Sequence, residues 1–370
     1  MPHENRPKIL FGITVVILAV LLIIGFFFFR PKTKDLSGEQ GLLGRPLKVG
    51  IVSWPGYAGG IVANDGFKPN KNCIYYKDHN IMVEFVLLED ADLRAKSFVR
   101  GGKNDVDVVW STVDFWANEL PGFVKGGVPA RAFLQVDWSK GADAIVADSS
   151  IKSVEQLAGR KVALAQLTPS DWFYEYVMRH SAISEQQVRD LRKTIVGKNA
   201  SPDARQDFVA NQVDACVVWE PDVANALKER KGSHVLVSSA KYNHILSDLM
   251  VAREDFINTH PEVIQAFVDG WFDGAKQAKA NPQYTAKLLM ENEPLFNEIG
   301  EEKTLSIMNN VDLTELGDNV KMFGVDGTNP LLYDLFREAG GIWLDRKFIE
   351  DTLSPQNAVT DRFIRNLHNK

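Results

Sequence analysis

The sequence predicts an α/β protein of two lobes, preceded by one N-terminal transmembrane helix. Three observations predict it. Residues 9–29 form an unbroken apolar run. From residue 47 onward, short apolar strands alternate with amphipathic helical stretches in two successive sets. Polar and aromatic residues recur at the carboxyl ends of those strands, which is where open α/β sheets collect ligands.

The balance of the chain is globular. Its 370 residues are 45% hydrophobic and 24% charged, enough for about two domains. With 27 Gly, 16 Pro and 10% aromatics, collagen-like and disordered classes are excluded. Formal net charge is -6. Arg6, Lys8, Arg30, Lys32 and Lys34 outweigh Glu4 in the first segment, so the body is more acidic than the whole. It lacks the basic footprint of a nucleic-acid binder and suits small ligands or proteins. Cys73 and Cys216 make neither a disulfide framework nor a C-x-x-C pair, and Cys216 reads as a small buried hydrophobe. The histidines are scattered without H-E-x-x-H, so no metal site is expected. G-x-S-x-G, G-x-x-x-x-G-K-[ST] and G-x-G-x-x-G are also missing, and no cofactor or enzymatic activity is indicated.

After a flank at 1–8, Ile9 to Phe29 is long enough at 1.5 Å per residue to span a ~30 Å hydrocarbon core. A cleaved signal peptide would have an apolar region of ~7–15 residues followed by small residues. This run instead ends in four phenylalanines and Arg30, which favours an uncleaved anchor. Basic residues flank both ends, so the positive-inside rule leaves its orientation open. Residues 30–46 are a Gly/Pro-punctuated linker that reaches ~55 Å when extended.

The first set of elements opens with a strand at Leu47–Val52, stopped by Ser53-Trp54-Pro55-Gly56. A strand at Ile81–Leu88 precedes a helical stretch through Leu93, Phe98 and Val99, closed by Gly101-Gly102. Val106–Trp110 is a third strand, with Ser111-Thr112 opening the next turn. In the second set, Ser153-x-x-Gln156 has the spacing of a capping box. Arg160–Ala165 is a strand, and Pro169 sits at the first position of a helix. Another helix starts at Ser201-Pro202. Strand 213–219 leads into Glu220-Pro221 and a further helix, and 235–237 is a strand. This alternation implies β-α-β units and parallel sheets. After residue 250 helices dominate. A long one opens at His260-Pro261, with Val263, Ile264, Phe267, Val268, Trp271, Phe272 and Ala275 on a core face, and others follow near 284–291, 301–310 and 330–338.

The strand ends nominate Ser53, Trp54, Ser111 and Thr112 from the first lobe, and Thr168, Ser170, Trp172, Trp219 and Glu220 from the second. A helix N-terminus at Thr168–Asp171 offers unpaired N–H groups to an anion, with Ser170 as an added donor, unless Asp171 already caps it. Glu220 in a closing cleft would call for an ammonium, amidine or N–H group on the ligand. Its other reading is a carboxylate at a helix N-terminus. Trp54 and Tyr57 flank a Pro-Gly turn and suit a flat or aliphatic ligand body, or cover the lobe's edge. Asp248 is either an acidic ligand group or a hinge acceptor, and the same two readings stand for Asp137, Ser139 and Asp143 near the forward crossing.

Residues 47–280 resemble the solute-binding proteins of bacterial ABC importers, in the nitrate/sulfonate/taurine and thiamine-pyrimidine group. The resemblance is carried by Lys48-Val49-Gly50-Ile51 with Trp54 and Gly56, and by Gly101-Gly102 with Asp105 to Val108. It continues through Ser153 to Ala163, Val213-Asp214-Ala215 with Trp219-Glu220-Pro221, Phe256 and His260-Pro261. It implies a type II periplasmic-binding-protein fold with lobe 1 at 47–138 plus 248–370 and lobe 2 at 139–247. It places Trp54, Thr112, Ser170 and Glu220 in the cleft. It further implies a monomer on the periplasmic side of the inner membrane, capturing a sulfonate/taurine-like or pyrimidine-like solute and delivering it to an ABC permease. The cysteine-rich motif of the yeast-type thiamine-pyrimidine relatives is missing. Two other classes stay open, a membrane-tethered sensor of a ligand or partner and a small-molecule enzyme using cleft carboxylates.

Overall fold

The computed structural model describes residues 41–242 and 244–370. The expected anchor at 9–29 and residues 30–40 of the linker lie outside the described residues. Among those described, no helix is long and apolar enough to cross a membrane.

Twelve strands are β1 Leu47–Ile51, β2 Val83–Leu87, β3 Val108–Thr112, β4 Ala130–Gln135, β5 Asp137–Ser139, β6 Asp143–Ala147, β7 Val162–Ala165, β8 Ile195–Lys198, β9 Ala215–Trp219, β10 His234–Ser238, β11 Asp248–Arg253 and β12 Val311–Leu313. The helices used below are α1 Ala58–Asn64, α2 Ala91–Arg100, α3 Val113–Lys125, α4 Pro169–Arg179, α5 Ser201–Val209, α6 Asp222–Glu229, α7 Pro261–Ala280 and α8 Leu331–Asp345.

Two five-stranded sheets run β2-β1-β3-β11-β4 and β10-β6-β9-β7-β8. β1 is parallel to β2 and β3, and β7 is parallel to β8 and β9. The sheets are nonetheless mixed, which corrects the expectation of parallel sheets. β11 is antiparallel to both β3 and β4, and β6 is antiparallel to both β9 and β10. The reason is the path of the chain, which leaves the first sheet through β4 and β5, enters the second as β6, and returns as β11. Each crossing delivers one strand running against its neighbours.

Local chemistry sets the helix ends. The Thr112 hydroxyl accepts the Phe115 N–H at 3.2 Å and starts α3. Asp90 accepts the Leu93 N–H at 2.9 Å and starts α2. Pro occupies the first turn of α4, α5 and α7, where its missing N–H costs nothing. The expected capping box at Ser153 is not formed. A short 3₁₀ turn spans Val154–Leu157, and Gln156 instead accepts the Lys152 N–H at 2.6 Å.

The core face of α7 is buried as expected at Val263, Ile264, Phe267, Val268, Trp271 and Ala275, while Phe272 sits half-buried at its margin. α7 crosses α1 at close range. A Cβ on Gly274 would come within 2.0 Å of the Gly59 carbonyl oxygen, and one on Gly60 within 2.3 Å of the Trp271 ring. α8 seals α3 through Leu332, Phe336, Ala339 and Trp343, whose indole donates to the Asp114 carbonyl at 2.8 Å. Gly274→Ala should therefore cost about 1–3 kcal/mol through overpacking. A urea titration would show this as a lowered midpoint, and an unmoved midpoint would contradict the close crossing.

Candidate functional site

The antiparallel crossings bring strand ends together. In register, Asp248 at the start of β11 lies opposite Thr112 at the end of β3, and Asp143 at the start of β6 lies opposite Trp219 at the end of β9. The carboxyl ends of β1, β3 and β9 thus meet the amino ends of β6 and β11 around a tight pocket of about 20 Å³. Val52, Trp54, Tyr57, Trp110, Thr112, Leu246 and Asp248 line it from the first sheet and its return crossing; Asp143, Pro169 and Trp219 line it from the second. That volume is room for about one water and far below the ~300–1,000 Å³ of drug-sized ligand sites, so a solute enters only if the two sheets' bodies part.

The aromatic walls are held in place by acids. The Trp54 indole donates to Asp137 at 2.6 Å, and the Tyr57 hydroxyl donates to Asp248. Gly56 lies against the first of these bonds: a Cβ there would come within 1.3 Å of the Asp137 carboxylate and 2.3 Å of the Trp54 indole nitrogen. Only glycine fits between them. Trp110 and Trp219 meet edge-on across the pocket, with ring centroids 6.2 Å apart and planes at 66°.

Four buried carboxylates surround this box: Asp114, Asp137, Asp143 and Asp248. Burial pushes Asp114, Asp137 and Asp143 up to about 7, and lifts Asp248 well above the usual carboxylate range, with repulsion from Asp137, Asp143 and Asp114 adding to it. Neither oxygen of Asp114 has a well-formed hydrogen bond, although the nearby Thr112 hydroxyl pulls its pKa back in part. The buried guanidinium of Arg94 is spent elsewhere, since it pairs with Glu119, donates to the Trp110 carbonyl at 2.8 Å and lies 5.1 Å from the Trp110 ring centre.

The two sheets' bodies touch across the cleft. Arg346, just past α8, pairs with Asp171 in the first turn of α4 at 2.6 Å. Asn118 of α3 donates to the Leu167 carbonyl and Asn225 of α6 to the Leu295 carbonyl, each at 3.3 Å.

Of the residues nominated from sequence, Trp54, Tyr57, Thr112, Trp219 and Asp248 line the pocket. Six do not. The Ser53 N–H donates to Glu89 at 2.8 Å, the Ser111 hydroxyl to Glu119 at 3.1 Å, and the Thr168 hydroxyl to the Ala165 carbonyl at 2.7 Å. Trp172 stacks on Tyr176 with centroids 5.0 Å apart, while the Ser170 hydroxyl is buried without a partner. Glu220 takes its helix-terminal reading and accepts the Ala224 N–H at 3.0 Å. Burial pushes it up to about 7, against the pull of that bond and of Lys303. Trp110 lines the pocket although its sequence reads as plain strand. Asp143 resolves to a lining group, and Asp137 to the acceptor that holds Trp54. Both cysteines are buried and free.

Two mixed sheets joined by two crossings around a central pocket define a two-lobed periplasmic-binding-protein fold. The NMT1/THI5-like family model matches residues 72–285, and the chain belongs to that family. The taurine-binding periplasmic protein of Escherichia coli is 28% identical over 164 residues, covering 43% of this chain and 48% of that protein. The chain thus spans about half the length of this curated relative. In fold, it is similar to the aliphatic sulphonate binding protein SsuA of Escherichia coli, at 15% identity and TM-score 0.64, over 86% of this chain and 98% of that one. It is also similar to the alkanesulfonate-binding SsuA of Xanthomonas axonopodis pv. citri bound to MOPS, at 13% identity and TM-score 0.62, over 85% and 97%.

A carboxyl raised to about 7 gains stability from its proton, fully present below its unfolded pKa near 4 and lost as pH rises through 7. Above pH 7, Asp114 is an ionised group buried without a partner, and Asp114→Asn removes that charge. The variant should be more stable than the native chain at pH 8 by about 1–3 kcal/mol, a melting shift of several degrees, and no more stable at pH 4. Equal melting temperatures at pH 8 would contradict the placement of Asp114.

Proposed function

We propose that this chain is the solute-binding subunit of an ABC importer, capturing a small amino-bearing organic solute of the taurine type in the pocket between its two sheets. In this reading residues 9–29 anchor it in the inner membrane, with the body on the periplasmic side as a monomer that hands its solute to a permease without turnover. The observation that carries the reading is the pocket itself. It lies at the strand ends and draws walls from both sheets, whose bodies are also joined by contacts such as Arg346 with Asp171. A pocket built from two bodies fits a clamp that closes on its ligand, because only contacts made in the closed form shift the population toward it. The resemblance to a taurine-binding protein supports the same solute class.

Thermal unfolding of the full-length chain tests it against taurine, alkanesulfonates, nitrate, amino acids, ethanolamine, choline, polyamines and pyrimidines. A true ligand at ~100 times its dissociation constant adds about 2.7 kcal/mol, a rise of a few degrees. At least one small amino compound should give that shift, and Trp219→Ala should remove it. A panel in which no compound moves the transition would overturn the reading.

A further inference from the structure

The pocket has an aromatic and acidic lining and no positive one. Four rings face it, those of Trp54, Tyr57, Trp110 and Trp219, together with the carboxylates of Asp143 and Asp248. Among the described residues, none of those lining it is Lys, Arg or His. Asp114 and Asp137 stand behind this lining, both buried. The buried cation behind Trp110, Arg94, is neutralised by Glu119 and lies against the Trp110 ring.

An anionic headgroup would therefore enter a region of like charge. The helix end that borders the pocket gives it little compensation beyond the Ser170 hydroxyl, which is buried without a partner. Pro169 has no N–H, and the Asp171 and Trp172 N–H groups are turned back onto the Thr168 carbonyl at 3.0 and 3.1 Å. The Asp171 carboxylate occupies the same end, accepting the Leu167 N–H at 3.0 Å and pairing with Arg346. That helix end already holds its anion.

A cation meets the opposite conditions. Aromatic faces attract ammonium groups, and quaternary ammonium recognition is the best-known use of such a ring box. Two rings are pinned by acids, Trp54 by Asp137 and Tyr57 by Asp248, which become negative when they give up their protons. Asp143 faces Asp114, Asp137, Asp248 and Glu220, with only the Ser139 hydroxyl to relieve it. A positive group admitted among them when the cleft opens would relieve this repulsion.

We infer that the pocket reads the cationic end of its solute: it takes small organic ammonium ions, methylated ones included, and requires no acid group on them. This rests on the reading of the pocket as the solute site and departs from a sulfonate-directed one.

Calorimetric titration of the full-length chain at pH 8 with choline, ethanolamine, taurine and sodium ethanesulfonate decides it. Choline and ethanolamine should bind, taurine no more tightly than ethanolamine, and ethanesulfonate not at all. Asp143→Asn should weaken choline by about tenfold or more while circular dichroism stays native, the loss expected when a close charge partner is removed. Should that variant fail to fold, Trp219→Phe serves in its place, with a smaller loss expected from the lesser cation affinity of the Phe ring. Taurine or ethanesulfonate binding about tenfold more tightly than ethanolamine would overturn the inference and leave the solute-binding reading standing. Failure of all four probes, while another compound shifts the thermal transition, would overturn it as well. A chain that responds to no solute would sink both.

Discussion

The joint between the two sheets is built from carboxylates that have no cation to pair with. Isolated buried charge is so unfavourable that such groups hold protons or wait for a partner. Asp114, Asp137 and Asp143 are held near neutrality in pKa and Asp248 higher still. The placement follows from topology. β6 and β11 are the strands that cross, so their first residues, Asp143 and Asp248, fall at the pocket, each opposite a last residue of a parallel strand. The acids also act as fasteners, since two of them fix the rings of Trp54 and Tyr57.

Rigid walls and a divided pocket are complementary demands. Gly56 lets the loop after β1 come down onto the Trp54–Asp137 bond, so one wall is set by backbone rather than by a mobile side chain. The opposite wall, with Trp219 and Pro169, belongs to the second sheet and its helix. Besides the meeting of Trp110 with Trp219, polar contacts hold the halves together, including Arg346 with Asp171 and Asn118 with the Leu167 carbonyl. Polar contacts of this kind exchange readily with water, which suits a closure that a ligand has to complete.

Much of this was legible in the sequence, because strand ends followed by Trp, Ser, Thr or Glu mark where an α/β sheet meets a ligand. Trp54, Thr112 and Trp219 were found that way, and Asp248 by its place before the apolar run at the return crossing. Trp110 was passed over because the strand was read as Val106–Trp110, with Ser111-Thr112 as the turn that meets the ligand; β3 instead runs Val108–Thr112 and carries Trp110 at its middle. β4 and β5 were missed because ARAFLQ and DWS lack clean alternation and a sustained apolar run; their order comes from pairing with β11 and β12. Glu220 drew attention as an acid at a strand end, but four residues on the Ala224 N–H needed an acceptor. α8 runs through Gly340-Gly341, where sequence favours a stop, because burial of Phe336, Ala339 and Trp343 outweighs that preference.

If the acids at the joint await a positive partner, binding that partner must drive protons off them. Titrating choline into the full-length chain at pH 7, in two buffers of different ionisation enthalpy, reads this directly because choline has no proton of its own to exchange near that pH. The account predicts a net release of protons on binding, with affinity rising from pH 6 to pH 8 as Asp143 and its neighbours ionise. Choline binding with no proton release, or with uptake, would contradict the central claim that charge at the joint is what the pocket reads.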